Sequence, residues 1–207
     1  MSAERPAGPA LNRDYIIRMA LGLVDRVGIE GLSMRELGVE LGVDPMAVYY
    51  HLPNKAALFD GIVEAVYAEV DVAPGASGDW RELVANFMRR LREVLRRHPR
   101  AVPILATRPS YTPKSLADQA LGSLQAAGLP PRRSLDIVAC LGAYTIGHVL
   151  AEVSPPAGGE TATAEEAAEP MAPDTFPHLA RAVAGGYRGD EQFEAGLRAM
   201  LAGFTSD

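Results

Sequence analysis

The chain has 207 residues, with 20 Lys and Arg against 26 Asp and Glu for a formal net charge of −6. That length suits a small N-terminal module and a larger body, and the acidic balance excludes a surface coated in nucleic-acid-binding charge. One cysteine, Cys140, excludes an intramolecular disulfide, and neither a leader-like apolar core in the first ten residues nor about 18 uninterrupted apolar residues elsewhere occurs, so the expectation is a cytoplasmic chain with no membrane partner.

Apolar residues recur at helical spacing throughout, and no period-2 run marks a strand. The pattern predicts an all-α fold. After about eleven flexible residues, the first helix runs from about Asn12 to Val27, with Ile16, Met19, Ala20, Leu23, Val24 and Val27 on one face and Gly28 as its stop. Ser33-Met34-Arg35-Glu36 reads as a capping box that starts a second helix, and Gly42 ends it. Asp44 caps a very short helix over about Pro45 to Tyr50, since Pro suits a first helical turn. Pro53-Asn54 breaks the chain, and a helix over about Lys55 to Val70 follows. A Pro/Gly/Ser linker over Asp71 to Asp79 divides a domain at 1–72 from one at 73–207.

The body continues with helices at about Trp80 to Arg97, Ala101 to Ala106, Lys114 to Ala127 and Arg132 to Val153. The last of these is apolar on most sides and has to be buried, within the chain or against a partner. Residues 154–173 are rich in Ala, Gly, Pro, Thr and Glu and read as a mobile loop. Helices at about Phe176 to Gly185 and Asp190 to Phe204 close the chain.

Charge is unevenly spread. Residues 1–60 carry six basic and eight acidic side chains, 81–108 eight Arg and two Glu, and 152–174 six acidic residues with no Lys or Arg. The run Arg89, Arg90, Arg92, Arg96, Arg97 and Arg100 reads as a solvated helix face rather than a second phosphate-binding patch. Arg108 is a candidate to cap helix ends at the domain junction. His148 and Cys140 read as core packing, because a catalytic pair needs an orienting acid that the sequence does not supply.

A helix ending at Gly42, a turn of about three residues and a second helix from Pro45 have the layout of a helix-turn-helix, here spanning Ser33 to His51. Such a second helix enters the DNA major groove by its N-terminus. Pro45, Met46 and Ala47 would then meet base edges with apolar contacts only, suited to a thymine methyl. Tyr49, Tyr50 and His51 carry groups that reach phosphates, and Lys55 and Arg35 add charge from the same side.

The run from Gly28 to Leu58, with Leu32-Ser33, Arg35, Leu41-Gly42-Val43, Val48-Tyr49-Tyr50-His51, Asn54-Lys55 and Leu58 in order, resembles the N-terminal domain of the TetR (tetracycline repressor) family. Thr107-Arg108-Pro109, Gly142-Ala143-Tyr144-Thr145-Ile146-Gly147-His148-Val149-Leu150 and the acidic loop before Phe176-Pro177 resemble the tetracycline-repressor branch of that family. The resemblance implies an N-terminal three-helix helix-turn-helix DNA-binding domain and a larger helical ligand-binding and dimerisation domain. It also implies a homodimer through the helices at 132–153 and 190–204, and a double-stranded DNA operator. It places Arg35, Pro45, Met46, Ala47, Tyr49, Tyr50, His51 and Lys55 at DNA-contacting positions.

Two departures stand out. The base-reading positions hold Pro-Met-Ala where founding members of the branch carry polar residues, so a different operator is expected. The metal-holding His and acidic positions of the branch hold Ile104 and Ala151, with Glu152 one step on, so no metal and no cofactor is expected and the ligand is expected to be organic. Phe87, Leu91, Ile104 and Leu121 are candidate pocket walls, and Thr107, Gln125, Tyr144 and His148 candidate polar groups among them. The expected function is a ligand-released repressor. An activator or global regulator on the same fold is the alternative, and no acid–base pair, phosphate loop or metal spacing supports an enzyme.

Overall fold

The structure is a computed structural model, and it describes residues 10–71, 79–108, 113–154, 175–184, 186 and 188–204. The expected flexible N-terminus, most of the linker, Pro109 and nearly all of the 154–173 loop lie outside these residues. Among the described residues all regular structure is helical: α1 (Arg13–Val27), α2 (Met34–Leu41), α3 (Pro45–His51), α4 (Lys55–Ala68), α5 (Trp80–Arg97), a 3-10 turn (Pro99–Ala101), α6 (Val102–Thr107), α7 (Lys114–Ala126), α8 (Pro131–Val153), α9 (Pro177–Val183) and α10 (Gly189–Gly203).

The N-terminal helices begin where side chains can satisfy the first free backbone N–H groups. The N–H of Tyr15 donates to Asn12 Oδ1 at 2.8 Å, that of Met46 to Asp44 Oδ1 at 2.8 Å, and that of Ala57 to Asn54 Oδ1 at 2.8 Å. At Ser33 half of the expected capping box forms: Glu36 N–H donates to the Ser33 hydroxyl at 3.1 Å. Among the described residues no return bond from the exposed Glu36 carboxylate is seen.

The turn between α2 and α3 depends on two glycines. Gly42 has φ +67°, in the left-handed region that side chains resist, and Val43 N–H reaches back to Gly38 carbonyl at 3.0 Å. At Gly38 a Cβ would sit 3.1 Å from the Val43 carbonyl oxygen and 3.2 Å from Pro45 Cγ. The bare backbone there lets α3 fold back onto α2.

α1 packs on α2 and α4, and α2 on α3. Leu37, Val48, Leu52, Leu58 and Ile62 are buried between them. In the body, α8 is central and meets α5, α6, α7, the 3-10 turn and α10. By length and composition α8 could cross a membrane. Its buried residues Ile137, Leu141, Thr145 and Val149 instead form a core face under these helices. Leu135, Ala139, Cys140, Ala143, Gly147 and Ala151 remain exposed on it.

Two expectations are corrected here. Cys140 is exposed rather than core-packed, because eight residues of helix carry it about 80° round from His148, onto the uncovered side. Of the arginine run, Arg96, Arg97 and Arg100 are exposed as expected, but Arg89 and Arg92, with Arg81 before them, are stitches rather than a solvated face. Arg81 donates to the Phe204 carbonyl at 2.9 Å, and Arg89 grips Glu194 through Nε at 2.7 Å and Nη2 at 2.8 Å. Arg92 is only 9% exposed. Its Nη2 lies 2.5 Å from Glu152 Oε1 on α8 and 2.8 Å from Asp190 Oδ1 on α10. These pairings run in opposite directions along the two helices, so α5 and α10 are antiparallel. Arg89 and Arg92 pair because the acids that meet them lie about 60 to 105 residues away, beyond any local charge pattern.

Two substitutions test this architecture. Gly42→Val should lower stability by about 1–2 kcal/mol, the cost of a side chain in the left-handed region, read as a lower urea midpoint at unchanged slope. Arg92→Ala leaves the Glu152 carboxylate buried without its cation and should cost about 3–5 kcal/mol, whereas Arg96→Ala, removing an exposed pair, should cost less than about 1 kcal/mol. Equal losses in a denaturation series would contradict the structure.

Candidate nucleic-acid interface

α3 has seven residues, too few to hold a helix in water unaided. Pro45 sets its first turn, Asp44 caps it, Val48 is buried, and Leu52 N–H closes it on the Val48 carbonyl at 2.9 Å. Anchored this way, the helix turns Met46, 71% exposed, and Tyr50, 87% exposed, to the outside four residues apart. Tyr49 is 41% exposed, Pro45, Ala47 and His51 are half-buried, and Tyr50 and His51 meet edge to face at 5.3 Å. Large apolar and aromatic groups left in water on a rigid helix are the kind of surface that a partner covers.

Arg35, near the start of α2, is exposed, as is Lys55 in the first turn of α4. Lys55 Nζ lies 5.3 Å over the Phe59 ring. With Asn54 as cap, the N-terminus of the 14-residue α4 adds partial positive charge beside it. Elsewhere in the module Arg26 pairs with Glu40 at 2.6 Å and Arg13 with Glu64 at 2.7 Å, while the exposed Arg18 stands 5.9 Å over the Tyr15 ring. The basic groups left to attract an anion are therefore few and placed.

Among the side-chain contacts between the module and the body, three stand out. Arg108, after α6, donates to the Asp60 carboxylate on α4 and stands 5.6 Å over Phe59. Arg100 donates to the Arg26 carbonyl at the end of α1. His98, which ends α5, lies 2.8 Å through Nδ1 from Asp25 on α1 and 3.1 Å through Nε2 from Glu69 after α4. Burial of the His98 ring opposes its charged form, but hydrogen bonds to Asp25 and Glu69, with the charges of both carboxylates, outweigh it and raise the pKa above the usual histidine value.

The eight candidate ligand-binding residues lie on α5 (Phe87, Leu91), α6 (Ile104, Thr107), α7 (Leu121, Gln125) and α8 (Tyr144, His148). Leu91 and Ile104 are buried, Phe87 and Leu121 half-buried, and Thr107 and Gln125 exposed. Several of their polar atoms are engaged within the chain. The Thr107 hydroxyl donates to the Pro103 carbonyl at 2.9 Å. The Tyr144 hydroxyl donates to the Phe193 carbonyl at 3.1 Å, and its ring stacks on Phe193 at 5.5 Å. His148 Nε2 lies 3.2 Å from Glu152 and 3.3 Å from the Gly189 carbonyl. Tyr144 and His148 thus turn to α10. None of the eight lines the charged cleft of about 440 Å³ formed by Glu69, Asp71, Arg90, Glu93, Val94, Arg96 and Arg97. Of the residues at the metal-holding positions, Ile104 is buried and Ala151 exposed, while Glu152 is taken by Arg92 and His148.

Sequence reasoning missed His98, Asp60, Arg92 and Phe193 as organising residues. His98 stood only as a helix end. Its partners are 73 and 29 residues away, and no local pattern joins them.

Residues 16–62 match the family described as bacterial regulatory proteins, tetR family, and residues 73–207 the tetracyclin repressor-like C-terminal domain. An HTH-type transcriptional regulator of Saccharopolyspora erythraea is 32% identical over 96% of this chain and 86% of its own. The class A tetracycline repressor protein from transposon 1721, in Escherichia coli, is 33% identical over 94% of this chain and 91% of its own. The crystal structure of ActR, a TetR family protein of Streptomyces coelicolor, in complex with actinorhodin superposes with a TM-score of 0.80 at 26% identity, covering 95% of this chain and 96% of that one.

The exposed side chains of Tyr50 on α3 and Lys55 on α4 contribute nothing to the buried core. Tyr50→Ala and Lys55→Ala should each shift stability by no more than about 0.5 kcal/mol, whereas Val48→Ala should cost at least about 1 kcal/mol through the cavity it leaves. Thermal melts of the three variants check this.

Proposed function

The chain belongs to the tetR family of bacterial regulatory proteins and is a DNA-binding transcriptional regulator, and from that premise we propose that it is a homodimeric repressor released from a palindromic operator by a small organic ligand. The observation that carries the reading is the pair Met46 and Tyr50, held outward and exposed on a capped helix. In this reading α3 enters the major groove. Pro45, Met46 and Ala47 lie against base edges as apolar contacts. Tyr49, Tyr50, His51, Arg35 and Lys55 hold the phosphates. With so few free cations, specificity leans on methyl groups, DNA shape and two-fold symmetry.

The dimer forms through α8 and α10. Ala139, Ala143, Gly147 and Ala151 give α8 an uncovered face of small residues, on which a second copy can pack closely. Two recognition helices then address half-sites about 34–36 Å apart.

The ligand binds among α5, α6, α7 and α8, against Phe87, Leu91, Ile104 and Leu121, with Thr107 and Gln125 near its polar groups. To reach Tyr144 and His148 it has to compete with their bonds to α10. Such competition would couple the pocket to the dimer interface. No metal takes part, because the positions that would hold one are Ile104 and Ala151. The protein acts in the cytoplasm, where its operator is, and carries out no catalytic step.

Selection of bound sequences from random DNA should return a palindrome. On that DNA, Tyr49→Ala should abolish the gel shift, and Lys55→Ala should lower the salt dependence of binding by about one unit of slope. Ala143→Arg should give monomers by light scattering and lose operator binding. An unselective pool, or a full shift by the Tyr49 variant, would overturn the reading.

A further inference from the structure

α5 ends at His98, whose N–H donates to the Val94 carbonyl at 3.2 Å and the Leu95 carbonyl at 3.1 Å. Its side chain is 13% exposed and sits where the module meets the body, with one carboxylate oxygen at each ring nitrogen. An ionised carboxylate only accepts hydrogen bonds, and a neutral imidazole has a single N–H. Two acceptors on opposite sides of the ring are both satisfied only by the imidazolium. A neutral ring would turn a lone pair toward Asp25 or Glu69.

The surrounding groups leave that role to His98. Asp25 Oδ1 is buried and has no hydrogen-bond partner, so the Asp25 carboxylate is held through Oδ2 and the ring. Arg26, beside it on α1, is committed to Glu40. Arg100, on the 3-10 turn, donates to the Arg26 carbonyl rather than to an acid. Arg97, on α5, reaches Glu69 Oε2 at 3.2 Å, so Glu69 has a second cation and Asp25 does not. The ring also belongs to the residue that caps the C-terminus of the 18-residue α5, where the helix dipole favours a positive charge.

We propose that His98 is a proton-operated clasp between the DNA-binding helices and the body. As the imidazolium it ties α1 and the end of α4 to α5. On losing a proton it can donate to only one carboxylate, Asp25 or Glu69 is released, and the module is free to rock. Operator binding then has to re-order the module, which weakens affinity. The raised pKa sets the direction: the clasp is complete below the ordinary histidine value, near pH 6.5, and is lost as pH rises through the higher value of the folded protein.

The test uses the full-length dimer. Ring-nitrogen NMR of the wild-type chain should show both His98 nitrogens protonated at about pH 6, with titration above about 6.5. The melting-temperature advantage of wild type over His98→Gln should be largest near pH 6 and fade by about pH 9. Between those limits the operator affinity of wild type should fall at least about fivefold more than that of H98Q. His51, His148 and His178 are common to both chains and cancel in the comparison. A single neutral tautomer at about pH 6, or pH profiles that superimpose for wild type and H98Q, overturns the clasp. The operator arm rests on the repressor reading, and the NMR and melting arms do not. Absence of operator binding at every pH would therefore count against that reading alone, and NMR needs no variant that might misfold.

Discussion

Covering α8 is the constraint on which the body depends. A helix of 23 residues that is apolar round most of its circumference cannot stand in water. α5, α6, α7 and α10 close round it, and the polar side chains it carries inward find partners on two of them. Glu152 takes Arg92 from α5, and Tyr144 and His148 take Phe193 and Gly189 from α10. Burial of one helix therefore dictates the place of four others and the polar network between them. The face left over is lined by small residues, which suits an assembly larger than one chain.

The module obeys a different economy. Its helices are short and are defined at their ends: Asn12, Ser33, Asp44 and Asn54 each accept from a backbone N–H of the helix they start. Capping and the tight Gly38–Gly42 turn fix directions with few residues. The small core of Leu37, Val48, Leu52 and Leu58 then holds α3 against α2. The outcome is a rigid surface whose outward residues are exempt from packing.

This division explains what could be read from the sequence. Caps, glycine stops and helical periodicity are local, so the bounds of α1, α2, α5 and α8 fell within a residue or so of those expected. The outward face of α3 was legible for the same reason, since Val48 and Leu52 leave Met46 and Tyr50 no inward place. Arg89 and Arg92 of α5 were misjudged because a charge run looks alike whether water or distant acids receive it. Glu194 and Asp190 lie about a hundred residues on, and only the packing of α10 on α5 brings them there. The candidate ligand residues suffered likewise. The helix of Tyr144 and His148 was evident, but Phe193 claims their rings, and nothing near them in sequence reveals it.

The junction has a mechanical consequence. Glu69 follows one end of α4 and Lys55 begins the other, and 14 residues at a rise of about 1.5 Å separate the ends by roughly 21 Å. α4 is therefore a lever, with the His98 contact at its inner end, Asp60 and Arg108 part-way along, and the exposed Lys55 at its tip. A tilt of about 5° at the inner end moves the tip by roughly 2 Å over that length, more than the whole range of a hydrogen-bond distance. Contacts too small to matter as a binding surface can thus govern the far end of the helix, because what they transmit is an angle rather than an area.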